Sequence, residues 1–268
     1  MNNSTLASAD GTPLNFVRWD IDSPKAQVLL VGGLAEHMGR YPHVAAALNA
    51  AGYSVAGIEL RGHGHSGGKR GHVDGWDKYQ ADVRAALDET GPAFVVCHSM
   101  GGLVTTYTVA NDPTNIRGWA ISNPLFGIRF VPPRWKIAAS KLLNKLLPTL
   151  SLANELDTSH ISRDPAVIAA YEADNLVFST ITPRWYMSSL AAQDRVFAAA
   201  GSIKIPLLCL IGDSDPITDP AEALRFYEAC GSESKTLKRY PELIHELFNE
   251  PEKDEVLADV VAWLDAHV

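Results

Sequence analysis

The sequence is short of cysteine, short of basic residues and free of long apolar runs. Its 268 residues hold three cysteines, Cys97, Cys209 and Cys230. A sparse, odd count is not a disulfide framework and points to a reducing compartment. Lys and Arg number 23 against 31 Asp and Glu, a formal net charge of −8. A general affinity for nucleic acid or for an anionic membrane needs a cationic face, so both are excluded, although a local basic patch is not. The opening stretch MNNSTLASADGTPLNF has neither the basic region nor the apolar region of a secretory signal. No apolar run approaches the ~18 residues of a spanning helix. The expected location is therefore cytoplasmic. Repeats and low-complexity tracts are absent. Apolar residues make up 46 % of the chain, enough to build a core, which argues against disorder.

What is present is an alternation of β-like and helix-like segments. Residues 14–19 (LNFVRW), Gln27–Val31 (QVLLV), 53–60 (YSVAGIEL), 93–97 (AFVVC), 118–122, 207–211 (LLCLI) and 236–240 read as strands. Most are continuous apolar runs, as expected of strands buried on both faces of a parallel sheet. Residues 76–89 place Tyr79, Val83, Ala86 and Leu87 on one helical face, and Leu257, Val260, Val261 and Leu264 do the same near the carboxyl end. Strands alternating with helices imply βαβ units, whose chemistry gathers at the carboxyl ends of the strands. The alternation lapses between residues 122 and 207. A structureless loop of that length is implausible in a compact domain. The expected organisation is a core of residues 1–124 and 199–268 interrupted by a helical cap at 125–198.

Cys97-His98-Ser99-Met100-Gly101 follows one buried strand and opens a helical segment. Strand, sharp turn and helix with serine at the apex make a nucleophile elbow, in which small flanking residues avoid strand–helix clashes. The plainer alternative is a βα turn with a capping serine. A serine nucleophile needs a base, and the base an orienting acid. Asp213 and Asp215 follow the 207–211 strand, and His245 lies between the last strand and last helix, so all reach the sheet edge of Ser99. His98 is expected to pack beside the elbow. His63, His65 and His72 lack a matching ligand set, so no metal is expected. Backbone N–H groups of Met100 and of Leu34, after Gly32-Gly33, are the candidate oxyanion donors. Cys97 reads as a small packing residue.

Gly33-Leu34-Ala35-Glu36-His37-Met38-Gly39-Arg40-Tyr41 resembles the G-x-x-E-H-x-x-R-Y segment of the monoacylglycerol lipase and lysophospholipase family of α/β-hydrolases. Residues 60–73 resemble its R-G-H-G-x-S-x-G loop with the following R-G-H, and His98-Ser99-Met100-Gly101-Gly102 its H-S-M-G-G elbow. The resemblance runs from about residue 10 to the end of the chain. It implies an α/β-hydrolase fold, with an eight-stranded, mostly parallel sheet and an inserted helical cap. It implies Ser99 as nucleophile, Asp215 in Gly212-x-x-Asp215 as acid, His245 as base, and Leu34 and Met100 as oxyanion donors, with no cofactor. Asp213 is left to shape the turn. The sequence departs from the family at Gly32, where a His is usual, and at Cys97, where a Gly is usual. Glu36, His37, Arg40 and Arg61 are expected to form a polar network fixing the oxyanion loop. Trp76, Tyr79 and Asp82 are expected to serve helix packing.

Residues 134–147 (RWKIAASKLLNKLL) predict a helix with Ile137, Ala138, Leu142 and Leu146 on one broad face. Two readings follow: that face covers the active site, or it meets a lipid interface with Lys136, Lys141 and Lys145 near head groups. Phe126, Phe178 and Trp185 are candidate substrate contacts in the cap. An apolar cap over a serine nucleophile favours an acyl ester. The expected activity is carboxylester hydrolysis of monoacylglycerols or related monoacyl lipids. The alternatives are a lysophospholipase, thioesterase or short-chain esterase, and, more remotely, a non-catalytic ligand-binding fold. The expected partner is a small lipid ester, with transient peripheral membrane contact through the cap.

Overall fold

The computed structural model describes residues 2–130 and 133–268. Eight strands form one sheet: β1 (Asn2–Ala7), β2 (Pro13–Trp19), β3 (Gln27–Val31), β4 (Ser54–Ile58), β5 (Ala93–His98), β6 (Ile116–Ser122), β9 (Leu207–Gly212) and β10 (Lys235–Tyr240). Their order is β1-β2-β4-β3-β5-β6-β9-β10. The pairs β1–β2 and β2–β4 are antiparallel, and every other pair is parallel.

The continuous apolar runs follow from a sheet covered on both faces. In β3, Leu29 and Val31 face one core with α2 (Trp76–Thr90), α3 (Met100–Asn111) and α7 (Pro220–Ala229). The intervening Val28 and Leu30 face a second core with α1 (Pro42–Ala50) and α8 (Lys253–Asp265). Each fully buried Leu or Val contributes roughly 1.5–3 kcal/mol relative to exposure. β1 escaped the sequence reading because NNSTLA is polar and exposed; its place comes from backbone pairing with β2 at the sheet edge.

Between β6 and β9 run α4 (Arg134–Leu146), β7 (Leu152–Ala153), α5 (Pro165–Ala173), β8 (Thr180–Ile181) and α6 (Pro183–Ala199), so the long gap carries, among the described residues, three α-helices and a short pair of strands. Its residues 131–132, and Met1 of the first core segment, lie outside the described residues. Along its length α6 joins the main core, through Trp185, Ala192 and Val196. The helix α4 buries no residue. Its Trp135, Leu142 and Leu146 are 67 %, 58 % and 67 % exposed. The apolar face expected to cover the active site therefore points to solvent.

Candidate active site

β5 ends at His98 and α3 begins at Met100, leaving Ser99 alone at the turn. Its backbone has φ 52° and ψ −116°, a conformation that costs a non-glycine residue energy and persists only where the surroundings enforce it. They do so by close packing. A Cβ on Gly101 would lie 2.3 Å from the Val31 carbonyl oxygen and 2.5 Å from that of Gly32, so only glycine lets α3 start against the end of β3. Cys97 is buried with Sγ 3.3 Å from the Ala120 carbonyl oxygen. Burial pushes its thiol up to about 12, so it packs as a neutral side chain.

The structure brings Ser99, His245 and Asp215 together. Ser99 Oγ lies 3.0 Å from His245 Nε2, and His245 Nδ1 lies 2.8 Å from Asp215 Oδ2. Asp215 is fully buried. Burial works to raise its pKa, but His245, the Thr218 hydroxyl and the Ile217 N–H outweigh this and hold the carboxyl below its usual range. An ionised carboxylate only accepts, so Nδ1 carries the imidazole proton and Nε2 faces Ser99 as an acceptor. Burial also works to lower the His245 pKa. Asp215, with Glu246 and Glu36 behind it, reverses the sign and raises it. Asp213 instead pairs with Arg239 at the surface, 2.9 Å away. His98 packs its ring 4.7 Å from that of His245, and burial holds it near pKa 4 and neutral.

The loop after β3 closes over the serine. A Cβ on Gly33 would meet Ser99 Cβ and His98 Cδ2, each at 3.3 Å. The Gly33 N–H donates to Glu36 Oε2 at 2.6 Å, which sets the chain direction just before Leu34. Met100 opens α3, so its N–H has no carbonyl one turn earlier in the helix. Met100 thus follows Ser99 at the start of α3, and Leu34 follows the Gly33 that approaches Ser99 from the loop after β3. Arg40 joins Glu36, at 2.5 Å, to Glu246 beside the base, at 2.8 Å through both guanidinium ends. Burial works to raise the Glu36 pKa, but Arg40 brings it below the usual range; burial leaves that of Glu246 raised. His37 reaches Asp174, at the end of α5, at 2.7 Å.

Two expectations need correction here. Arg61 does not join this network: it pairs with Asp82 at 2.7 Å and Asp10 at 2.8 Å, tying the loop after β4 to α2 and the β1–β2 turn. Asp82 is accordingly a buried ionic partner rather than a packing residue. Asn123 was missed by the sequence reading. Its side-chain amide donates to the Ile244 and His245 carbonyls at 2.8 Å, and its oxygen accepts from Gly212 N–H at 2.8 Å. It clamps the base loop to the ends of β6 and β9. Its neighbour Pro124 was the available signal, since Asn-Pro marks a turn at a strand's carboxyl end.

The cap candidates are dispersed. Phe126 packs against Phe226, with ring centroids 4.5 Å apart, and Trp185 against Trp76 at 5.9 Å. Phe178 is half-buried, 5.2 Å from the His63 ring. Among the described residues, no group of three or more His, Cys, Asp or Glu side chains is arranged to hold a metal ion.

The model of the serine aminopeptidase, S33 family matches residues 22–252 of this chain. A monoacylglycerol lipase from Mycolicibacterium smegmatis is 36 % identical over 98 % of the chain and 97 % of its own length. Phospholipase YtpA of Bacillus subtilis is 29 % identical over 93 % and 99 %. Among solved structures, a monoacylglycerol lipase from Paleococcus ferrophilus superposes with a TM-score of 0.89 at 33 % identity, covering 95 % of this chain and 99 % of that one.

Proposed function

Because this chain belongs to the serine aminopeptidase, S33 family, within its monoacylglycerol lipase and lysophospholipase group of α/β-hydrolases, we propose that it hydrolyses monoacylglycerols through an acyl-enzyme on Ser99. One observation carries the reading: the unbroken Ser99–His245–Asp215 hydrogen-bond chain, at 3.0 and 2.8 Å.

Ser99 Oγ attacks the ester carbonyl carbon as His245 Nε2 takes its proton. The negative charge that develops on the carbonyl oxygen is held by the Leu34 and Met100 N–H groups. Asp215 stabilises the imidazolium without taking its proton. The imidazolium gives that proton to the leaving glycerol oxygen, and Ser99 is left acylated. Water, deprotonated by His245, attacks the acyl carbon and releases the fatty acid. Residues 125–198 act as a cap between the core segments 1–124 and 199–268. Each acyl CH₂ buried beneath it contributes up to ~0.8 kcal/mol. No cofactor takes part.

The outward face of α4 supports a second element of the proposal, transient contact of the cap with a lipid interface. Trp135, Ala138, Leu142 and Leu146 share that exposed face, beside exposed Lys141 and Lys145 and close in sequence to exposed Leu147 and Leu150. Apolar area on one face with lysines at its margin fits a helix lying in the head-group plane.

A panel of monoacylglycerols, lysophospholipids, amino-acid amides and p-nitrophenyl esters of rising chain length tests the reading, with Ser99→Ala as control. The proposal expects the highest kcat/KM on medium- or long-chain monoacylglycerols. A preference for lysophospholipids, acetyl esters or amides would replace the substrate class, and activity retained by Ser99→Ala would overturn the mechanism.

A further inference from the structure

Behind the oxyanion loop lies a small cavity of about 10 Å³, its wall including Gly33, Glu36, Met38, Glu59, Leu60 and His63. A site for one water needs roughly 10–15 Å³ and two or more polar partners. His63 Nδ1 lies 3.0 Å from the Arg61 carbonyl oxygen, which only accepts, so Nδ1 carries the ring proton. Burial lowers the imidazole to about 4, and it is neutral at pH 7. Its Nε2 is thus a bare acceptor, buried, and without a partner among the described residues.

Glu59 forms another part of the wall and is also buried. It accepts from the Met38 N–H at 2.9 Å and the His65 N–H at 2.6 Å. A carboxylate offers about four acceptor positions, so two remain. Glu36, the other carboxylate on the wall, is already engaged by Gly33, Arg40 and Tyr41. The residues of the cavity wall therefore include two with under-used acceptors, His63 and Glu59, a pairing that a molecule with two hydrogens to give would satisfy.

We propose that a single water molecule occupies this cavity as a fixed part of the fold, donating one hydrogen to His63 Nε2 and the other to Glu59. The water links the loop after β4 to the turn that carries the oxyanion site. Glu59 holds Met38, two residues before Arg40; Arg40 holds Glu36, and Glu36 fixes the Gly33 N–H beside Leu34. His63 becomes a positioning residue for the Leu34 donor. This consequence rests on the hydrolase reading above, whereas the water site does not.

A high-resolution crystal structure of the unaltered chain reads the site with no substrate present. The expected result is an ordered water within about 3.2 Å of both His63 Nε2 and a Glu59 oxygen. An empty cavity, or a His63 ring turned to a protein donor, overturns the site whatever the enzyme hydrolyses. His63→Phe keeps a ring against Phe178 and Tyr79 but removes the acceptor. With its fold checked by circular dichroism, it is expected to lose the water and about tenfold in kcat on p-nitrophenyl butyrate at constant KM. His63→Gln, which retains an acceptor, is expected to recover most of that loss. Loss of the water at full kcat, or a change in KM alone, overturns the positioning role.

Discussion

Exchanging Asp215 for Asn would leave a neutral amide beside His245, free to turn the imidazole to the wrong tautomer. The expected outcome is a fall in kcat of about 10³–10⁴-fold, whereas Asp213→Asn, which loosens a surface pair with Arg239, stays within about threefold. Steady-state kinetics on one soluble ester compares the two. The pH profile gives an independent check. His245 works as a base only when neutral, so activity falls as pH drops through its pKa. Burial lowers that pKa but Asp215 more than compensates, so the acid limb of kcat/KM should lie above 6.5 in the native enzyme. In Asp215→Asn burial is opposed only by the more weakly acting Glu246 and Glu36, and the residual activity should show its acid limb at lower pH. At this scale the site was legible because a nucleophile elbow, an acid after a strand and a His before the last helix leave little choice of residue. Asp213 and Asp215 could not be separated by position alone; their different neighbours, Arg239 and His245, are set by tertiary structure. Asn123 escaped for the same reason, since its three bonds reach residues about ninety to 120 positions away.

Elements are held to one another by a few close approaches and buried pairs. Gly101→Ala would force its new methyl into the Val31 and Gly32 carbonyls, at 2.3 and 2.5 Å. The start of α3 or the end of β3 must then shift, and thermal unfolding should show a loss of several degrees, with kcat falling as the elbow and oxyanion loop separate. Asp82→Ala would strip Arg61 of the partner that meets it from α2, leaving Asp10 at the rim. Loss of its buried counter-ion should cost up to about 3 kcal/mol, read as a lower midpoint in urea unfolding. The strands β3, β4, β5 and β9 were legible because burial on both faces keeps them largely apolar. β1 was not, because an edge strand that buries no side chain leaves no apolar pattern. The orientation of α4 was also out of reach: periodicity tells which residues share a face but not what that face meets.

The whole molecule carries a net charge of −8, and among its described residues no helix is long and apolar enough to cross a membrane. The acidic average hides the local character of α4, whose apolar face and lysines are exposed together. Leu142→Glu combined with Leu146→Glu should weaken co-sedimentation with vesicles and slow hydrolysis of a long-chain monoacylglycerol in emulsion. Hydrolysis of a dissolved p-nitrophenyl butyrate should be unchanged, because both side chains are exposed on α4 whereas Ser99 is buried. The Ser99–His245–Asp215 hydrogen-bond chain draws on both sides of the stretch between β6 and β9, with Ser99 before it and Asp215 and His245 after it, so under the proposed reading both flanks must fold together for turnover. The most direct measurement is the release of glycerol and fatty acid from a purified monoacylglycerol by the native enzyme and by Ser99→Ala at equal concentration. The predicted result is saturable turnover by the native enzyme and a loss of roughly 10⁴-fold or more in the variant. Equal rates from the two proteins, or no release by a folded native enzyme, would contradict it.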